Sequence, residues 1–152
     1  MKTKGIFNED FSHYKECSMV VTFPSCTWKC GPQCHNIGLS KEPTIDIPIS
    51  DIVAKFTTNP ITSAIVLAGL EPIDSFSEVF ELIFALREKT SAPIILFTGY
   101  DKHELDNEIF KLKLYENIIV KFGRYIPERP ERYDEVLGIT LPSDNQYAER
   151  IS

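Results

Sequence analysis

The sequence contains no long hydrophobic run. Nowhere in its 152 residues do 18 apolar residues follow one another, which a transmembrane helix would need. The lysines of the opening MKTKGIFNED are not followed by the apolar segment of a secretory signal. We therefore expect a cytoplasmic protein that does not enter a membrane.

The sequence is also poor in basic residues and in cysteine. Its 16 lysines and arginines are outnumbered by 22 acidic residues, which gives a formal net charge of −6. Because an anionic surface repels a phosphate backbone, nucleic-acid binding is not expected. Four cysteines are too few for the disulfide scaffold of a secreted protein. In a reducing compartment, clustered cysteines more often hold a metal or carry out redox chemistry.

The composition indicates a single globular domain over residues 1–152. Hydrophobic residues make up 43% of the chain and charged residues 25%, without low-complexity tracts or internal repeats. A chain of this length can bury roughly two thirds of its unfolded surface in one core. No second domain is needed.

Four short apolar runs, at residues 18–23, 63–68, 93–97 and 117–121, predict buried β-strands. Apolar residues at helical spacing predict helices over 51–56, around 76–86 and around 105–112. Ser50 and Ser75 are candidate N-caps for the first two of these helices. Strands that alternate with amphipathic helices are typical of an α/β fold with a mainly parallel sheet.

An unusual segment follows each predicted strand. CTWKCGPQC follows the first strand, GLEP the second, TGY the third and KFGRY the fourth. The carboxyl ends of parallel strands lie along one edge of a sheet, and ligands bind at that edge. We therefore expect these four segments to form one site.

The first of these segments contains Cys26, Cys30 and Cys34 within nine residues. On a helix the three thiols would span about 12 Å, too far for one small metal centre. The Gly31-Pro32 pair also disfavours a helix, so the segment is predicted to be a loop. Thiolates at this spacing suit zinc or an iron-sulfur cluster, and structural or incidental thiols remain a third interpretation.

The fourth ligand separates these interpretations. Structural zinc takes four protein ligands, and the candidates for the fourth are His35 and Cys17. His35 adjoins Cys34, which strains joint ligation, and Cys17 precedes the first strand and is typical of a small core residue. A cluster held by three cysteines leaves one iron open to a substrate.

These segments, in this order, resemble the radical S-adenosylmethionine superfamily, and most closely the activating proteins of anaerobic ribonucleoside-triphosphate reductases. The resemblance covers most of the chain. It rests on GIFNEDF at 5–11, the cysteine loop, GLEP at 69–72, FTGY at 97–100 and SDNQ at 143–146. The family spacing is C-x3-C-x2-C, whereas the second gap here has three residues, and Leu70 occupies the second glycine position of a GGEP-like segment.

The resemblance implies a small partial (β/α) barrel with a mainly parallel sheet. It implies that Cys26, Cys30 and Cys34 bind three irons of a [4Fe-4S] cluster, whose fourth iron S-adenosylmethionine chelates. The residues that it implies for contact with this cofactor are Gly69, Glu71, Pro72, Thr98, Gly99, Tyr100 and Asn145. It identifies no further catalytic residue.

The implied activity is the reductive cleavage of S-adenosylmethionine to a 5'-deoxyadenosyl radical. That radical would generate a glycyl radical on a partner, the anaerobic ribonucleotide reductase, with a flavodoxin or ferredoxin as electron donor. One alternative is a non-catalytic zinc or iron-sulfur binding module that docks to another protein. Another is a radical enzyme for a small molecule or peptide, although a chain this short leaves little material for a separate pocket.

Three further features are interpreted without a catalytic role. Trp28, between two cysteines, is expected to shield a cluster or pack beneath it. The mixed charges of residues 121–132 are typical of a solvated loop, with a docking surface as the alternative. The three histidines receive no role.

Overall fold

The computed structural model describes residues 1–27 and 30–152. Its centre is a six-stranded sheet with the strand order β10-β7-β6-β5-β3-β2. Its strands are β2 (Gly5–Asp10), β3 (Ser18–Phe23), β5 (Ala64–Gly69), β6 (Ile94–Phe97), β7 (Ile118–Phe122) and β10 (Tyr147–Arg150). Two short pairs lie outside this sheet: β1 (Lys2–Thr3) with β4 (Ile45–Asp46), and β8 (Arg132–Asp134) with β9 (Ile139–Leu141).

In the sequence, the helices lie between successive parallel strands. They are α1 (Ile37–Lys41), α2 (Ile49–Thr58), α3 (Phe76–Arg87) and α4 (Asp106–Leu112), with 3-10 turns at Pro72–Ser75 and Lys102–Glu104. In the described part of the chain, no helix has the length and apolar character needed to cross a membrane.

The four predicted strands form the parallel centre of the sheet. β3, β5, β6 and β7 are neighbours in chain order, and each pairs in parallel with the next. The strands β2 and β10 add antiparallel edges, so the sheet is mixed and mainly parallel. The predicted α/β class is confirmed, and the sheet is open and not closed into a barrel.

The two faces of the sheet are covered differently. The outer face packs against α2, α3 and α4 in one apolar cluster. On the inner face, Val20, Val66 and Ile95 belong to a second cluster with Tyr14, from the loop between β2 and β3, and Leu137, from the loop between β8 and β9. Because both faces are covered, the strands are continuously apolar rather than alternating.

The predicted serine caps are wrong. Ser75 makes no capping hydrogen bond, since a 3-10 turn already precedes α3 and the side chain of Glu71 caps that turn by accepting from the N–H of Ile73. Ser50 lies inside α2, and its hydroxyl donates to the carboxylate of Asp51. The spacing of residues in the sequence did not indicate that a 3-10 turn precedes α3 or that α2 begins before Ser50.

Candidate functional site

A cavity of about 570 Å³ lies over the inner face, at the carboxyl ends of the parallel strands. The segments that follow β3, β5, β6 and β7 all contribute to its wall, as predicted from the topology. The predicted site residues that line it are Cys26, Cys30, Cys34, Gly69, Glu71, Thr98 and Gly99. Its volume falls within the range of pockets that bind small organic ligands, roughly 300–1,000 Å³.

The cysteine segment is a loop in its described part, as predicted, up to the start of α1. Gly31 adopts a φ of 75°, and its carbonyl accepts from the N–H of Cys34 at 3.3 Å. The side-chain amide of Asn36 donates to the carbonyl of Gly69, which ties the loop to β5. The ring of His35 lies 4.0 Å from that of Tyr125, measured between centroids. The prediction for Trp28 lies outside the described residues.

The thiols of Cys30 and Cys34 are close enough to influence one another. Burial raises the pKa of Cys30, and the charge of Cys34 raises it further. Across residues 1–27 and 30–152, no three His, Cys, Asp or Glu side chains are gathered closely enough to hold a metal ion. A single centre bound by all three thiols therefore requires the side chains of this loop to converge.

Cys17 is remote from the other three cysteines. It is buried, and its carbonyl accepts from the N–H of Ser63 at the amino end of β3. The length of β3 separates it from the cysteine loop by roughly 20 Å, at about 3.3 Å per residue. Cys17 is therefore not a fourth ligand for the same centre in this fold.

The backbone at Gly69 requires glycine. Its φ is +100°, and an added Cβ would lie 2.9 Å from Cβ of Thr22 and 3.0 Å from the backbone N of Phe23. The next residue, Leu70, does not share this requirement, since Asn117 is the non-glycine residue with a positive φ in the described chain. Leucine is therefore compatible with the backbone at position 70.

The carboxylate of Glu71 joins two loops at the cavity wall. Its Oε2 accepts from the N–H of Gly99 at 2.8 Å, and its Oε1 accepts from the N–H of Ile73 at 3.1 Å. Burial raises the pKa of Glu71, while hydrogen bonds from Gly99, Thr98 and Ile73 oppose that rise. Glu71 thus fixes the loop after β5 against the loop after β6.

Three predicted cofactor contacts lie outside the lining of this cavity: Pro72, Tyr100 and Asn145. Pro72 is buried in the first position of the 3-10 turn. The hydroxyl of Tyr100 donates to Asp74 at 2.8 Å, and the guanidinium of Arg124 lies 5.3 Å from its ring centroid. The side-chain amide of Asn145 donates to the carbonyl of Arg124 at 2.8 Å. In this structure all three residues support the loops around the cavity.

Lys121 lines the cavity as the first residue of the KFGRY segment, which was predicted to meet the other three segments there without a role for this side chain. It belongs to β7 with 6% of its surface exposed, which confirms its place in the strand predicted over 117–121, and its inclusion in the solvated loop predicted over 121–132 is wrong. Its Nζ donates to the carbonyl of Gly123 at 2.8 Å. Burial lowers the pKa of Lys121 to about 8, against the attraction of Glu71 and Cys30. The sequence signal for a buried functional lysine was its place within an otherwise apolar strand.

Gln146 also lines the cavity, within the SDNQ segment. Its side-chain N–H donates to the carbonyl of Gly123 at 3.2 Å. Its Oε1 is buried and has no hydrogen-bond partner in the described chain. A buried acceptor of this kind is costly unless a ligand or water donates to it.

Comparison with known proteins gives no assignment. No family model matches the chain, and no curated protein or solved structure matches it. A functional assignment therefore rests on the motifs of the chain and on the geometry of this cavity.

Proposed function

We propose that this chain is a radical-S-adenosylmethionine-like iron-sulfur activase. It cleaves S-adenosylmethionine reductively and generates a glycyl radical on a partner anaerobic ribonucleotide reductase. The observation that carries the proposal is the shared position of Cys26, Cys30 and Cys34 on the wall of one cavity, at the carboxyl edge of a parallel sheet. In this interpretation the open sheet is the core of a partial (β/α) barrel.

The donor type at the cavity fits a [4Fe-4S] cluster, which would form when the side chains of the loop converge. Three thiolates are the ligand type that such clusters prefer, and the fourth protein thiol, Cys17, lies too far away to close the site. The ammonium group of Lys121 attracts Cys30 and so offsets part of the negative charge that three thiolates bring together. When bound, the cluster would supply the electron for cleavage of the sulfonium.

The rest of the cavity fits a small polar cofactor such as S-adenosylmethionine. Gln146 Oε1 is a buried acceptor without a partner in the described chain, and a ligand hydroxyl or amino group could donate to it. Gly69, Thr98 and Gly99 bring backbone to the wall with little side-chain bulk. We propose these residues, with Glu71, as the cofactor contacts, and Pro72, Tyr100 and Asn145 as the residues that hold the surrounding loops.

The open side of the cavity supports the proposal that the substrate is a macromolecule. Phe7 on β2 and Thr140 on β9 both line the cavity and are both exposed. A segment of a partner could therefore reach the interior between these elements. An electron donor such as flavodoxin or ferredoxin would dock from outside.

Anaerobic reconstitution with iron and sulfide tests the proposal. We expect about four irons per chain, the stoichiometry of a [4Fe-4S] cluster, and formation of 5'-deoxyadenosine when S-adenosylmethionine and a reductant are added. Cys30→Ser should lose most of the bound iron, because a neutral hydroxyl replaces a thiolate ligand. Cys17→Ser is the matched control and should keep its iron.

Two results would contradict the proposal. A stable cluster that never cleaves S-adenosylmethionine would show that the chain lacks the proposed enzymatic activity. One zinc per chain without iron would instead identify a non-catalytic binding module that docks to another protein.

A further inference from the structure

Asp10 and His13 form a hydrogen-bonded pair at the end of β2. Nδ1 of His13 lies 2.8 Å from Oδ2 of Asp10, which also accepts the backbone N–H groups of Ser12 and His13 at 3.0 Å. The hydroxyl of Ser12 donates to Oδ1 at 2.6 Å. Burial raises the pKa of Asp10, but the hydrogen bonds from Ser12 and His13 outweigh it and lower the pKa below its usual value. The carboxylate is therefore charged at neutral pH and holds the imidazole in place.

The arrangement leaves the second nitrogen of His13 available. Because Nδ1–H donates to the carboxylate, Nε2 of the neutral ring is a hydrogen-bond acceptor. In the described chain Nε2 has no hydrogen-bond partner, and His13 lines the cavity. The ring also packs at 75° against Phe97, with 5.4 Å between centroids, which restricts its orientation.

His13 and the thiols belong to loops at opposite ends of β3, and both line the cavity. The loop of His13 joins β2 to the amino end of β3, whereas the cysteine loop leaves the carboxyl end of β3. The cavity wall near this loop includes the apolar side chains of Phe7 and Phe97. β2 has β3 as its strand neighbour and is an edge of the sheet, so its outer backbone can pair with an extended chain.

We propose that His13, held by Asp10, accepts a hydrogen bond from a backbone N–H group of the partner's glycine-bearing segment. This inference rests on the proposed function and adds a substrate-binding residue to it. A peptide that enters an apolar cavity must find acceptors for its N–H groups, because an unpaired buried donor is costly. His13 is the substrate contact, and Asp10 is a positioning residue that acts through the imidazole.

Steady-state activation of the partner reductase gives the first test. His13→Ala should raise the KM for the reductase about five- to tenfold, the effect of one hydrogen bond, with a smaller change in kcat. Asp10→Asn should shift KM in the same direction, and His13→Gln should restore part of the loss because its amide oxygen can accept. His103→Ala, at an exposed histidine away from the cavity, is the matched control and should leave KM unchanged. An unchanged KM in His13→Ala overturns the inference.

A binding measurement decides the inference independently of activity. N-acetyl-triglycine amide is titrated into the reconstituted protein while the Cε1–H signals of the three histidines are followed by NMR. We expect a saturable shift of the His13 signal and none of the His103 signal. If the wild type forms no 5'-deoxyadenosine, the proposed function fails, yet this shift still supports a peptide site. Absence of the shift overturns the peptide site, whether or not S-adenosylmethionine is cleaved.

Discussion

Lys121 is a lysine within a strand whose other residues are apolar. Transfer of an ammonium group from water into the protein interior costs several kcal/mol of folding free energy unless nearby charges and hydrogen bonds offset it. Here the carbonyl of Gly123 accepts from it, and Glu71 and Cys30 attract it. Buried charges with perturbed pKa values are frequent at functional sites, which makes Lys121 a good probe of the proposed cluster site.

Lys121→Met should make the reconstituted cluster harder to reduce. At pH 7, below its pKa of about 8, Lys121 is mostly protonated, and removal of this positive charge favours the less negative oxidised state. We expect a fall in reduction potential on the order of 50 mV, from the Coulomb energy of one partly screened charge. Redox titration monitored by EPR measures this change.

Lys113→Met makes the same chemical change at an exposed position after α4 and is the control. Its reduction potential should equal that of the wild type. If both variants behave alike, or if the potential of Lys121→Met rises, the charge of Lys121 does not act on the cluster.

At the scale of elements, the site is built by the ends of parallel strands. β3 and β5 pair from Ser18 with Ala64 up to Phe23 with Gly69, so the cysteine loop and the GLEP segment leave the sheet side by side. The carboxylate of Glu71 then links this segment to the loop after β6. The geometry of the cavity therefore depends on a close approach of backbones at the end of β5.

Gly69→Ala should disturb this junction. The new methyl group would lie 2.9 Å from Cβ of Thr22, and the φ of +100° is unfavourable for alanine. We expect the free energy of unfolding to fall by about 2–4 kcal/mol, through combined strain and overpacking. Chemical denaturation of the iron-free protein measures this change without any contribution from the cluster.

Gly38→Ala is the matched control. Gly38 lies within α1, and an added Cβ there meets no atom within 4 Å. Alanine should stabilise this helical position by up to about 1 kcal/mol. Equal effects of the two substitutions would show that the junction at Gly69 tolerates a side chain.

The parallel strands could be predicted from the sequence because each is a continuous apolar run. The edge strands β2 and β10 were missed because their residues are mixed and partly exposed, so they carry no such signal. The convergence of the cysteine loop with GLEP and TGY followed from topology alone. The position of His13 could not be predicted in this way, because it depends on how a loop folds over the inner face and brings His13 against Phe97.

At the scale of the whole molecule, the cavity lies against the inner apolar cluster, since Val20, Ala68 and Leu141 belong to both. The helices pack on the outer face of the sheet. On the inner face, Tyr14 and Leu137 belong to the part of the inner cluster that does not line the cavity, and the cavity lies at the carboxyl ends of the strands. None of the described residues of the cysteine loop belongs to either apolar cluster, so we expect the fold not to depend on what the thiols bind.

Removal of iron from the reconstituted protein should therefore leave the sheet folded. We expect an unchanged far-UV circular dichroism spectrum after chelation, together with faster tryptic cleavage within residues 24–36, because the metal restrains only this loop. Cys30→Ser, prepared without iron, should give the same cleavage pattern. Small domains in which a metal replaces a hydrophobic core behave differently and unfold when it is removed. Loss of the circular dichroism signal on chelation would show that the thiols and their metal hold the core together, although the described residues of the cysteine loop belong to neither apolar cluster.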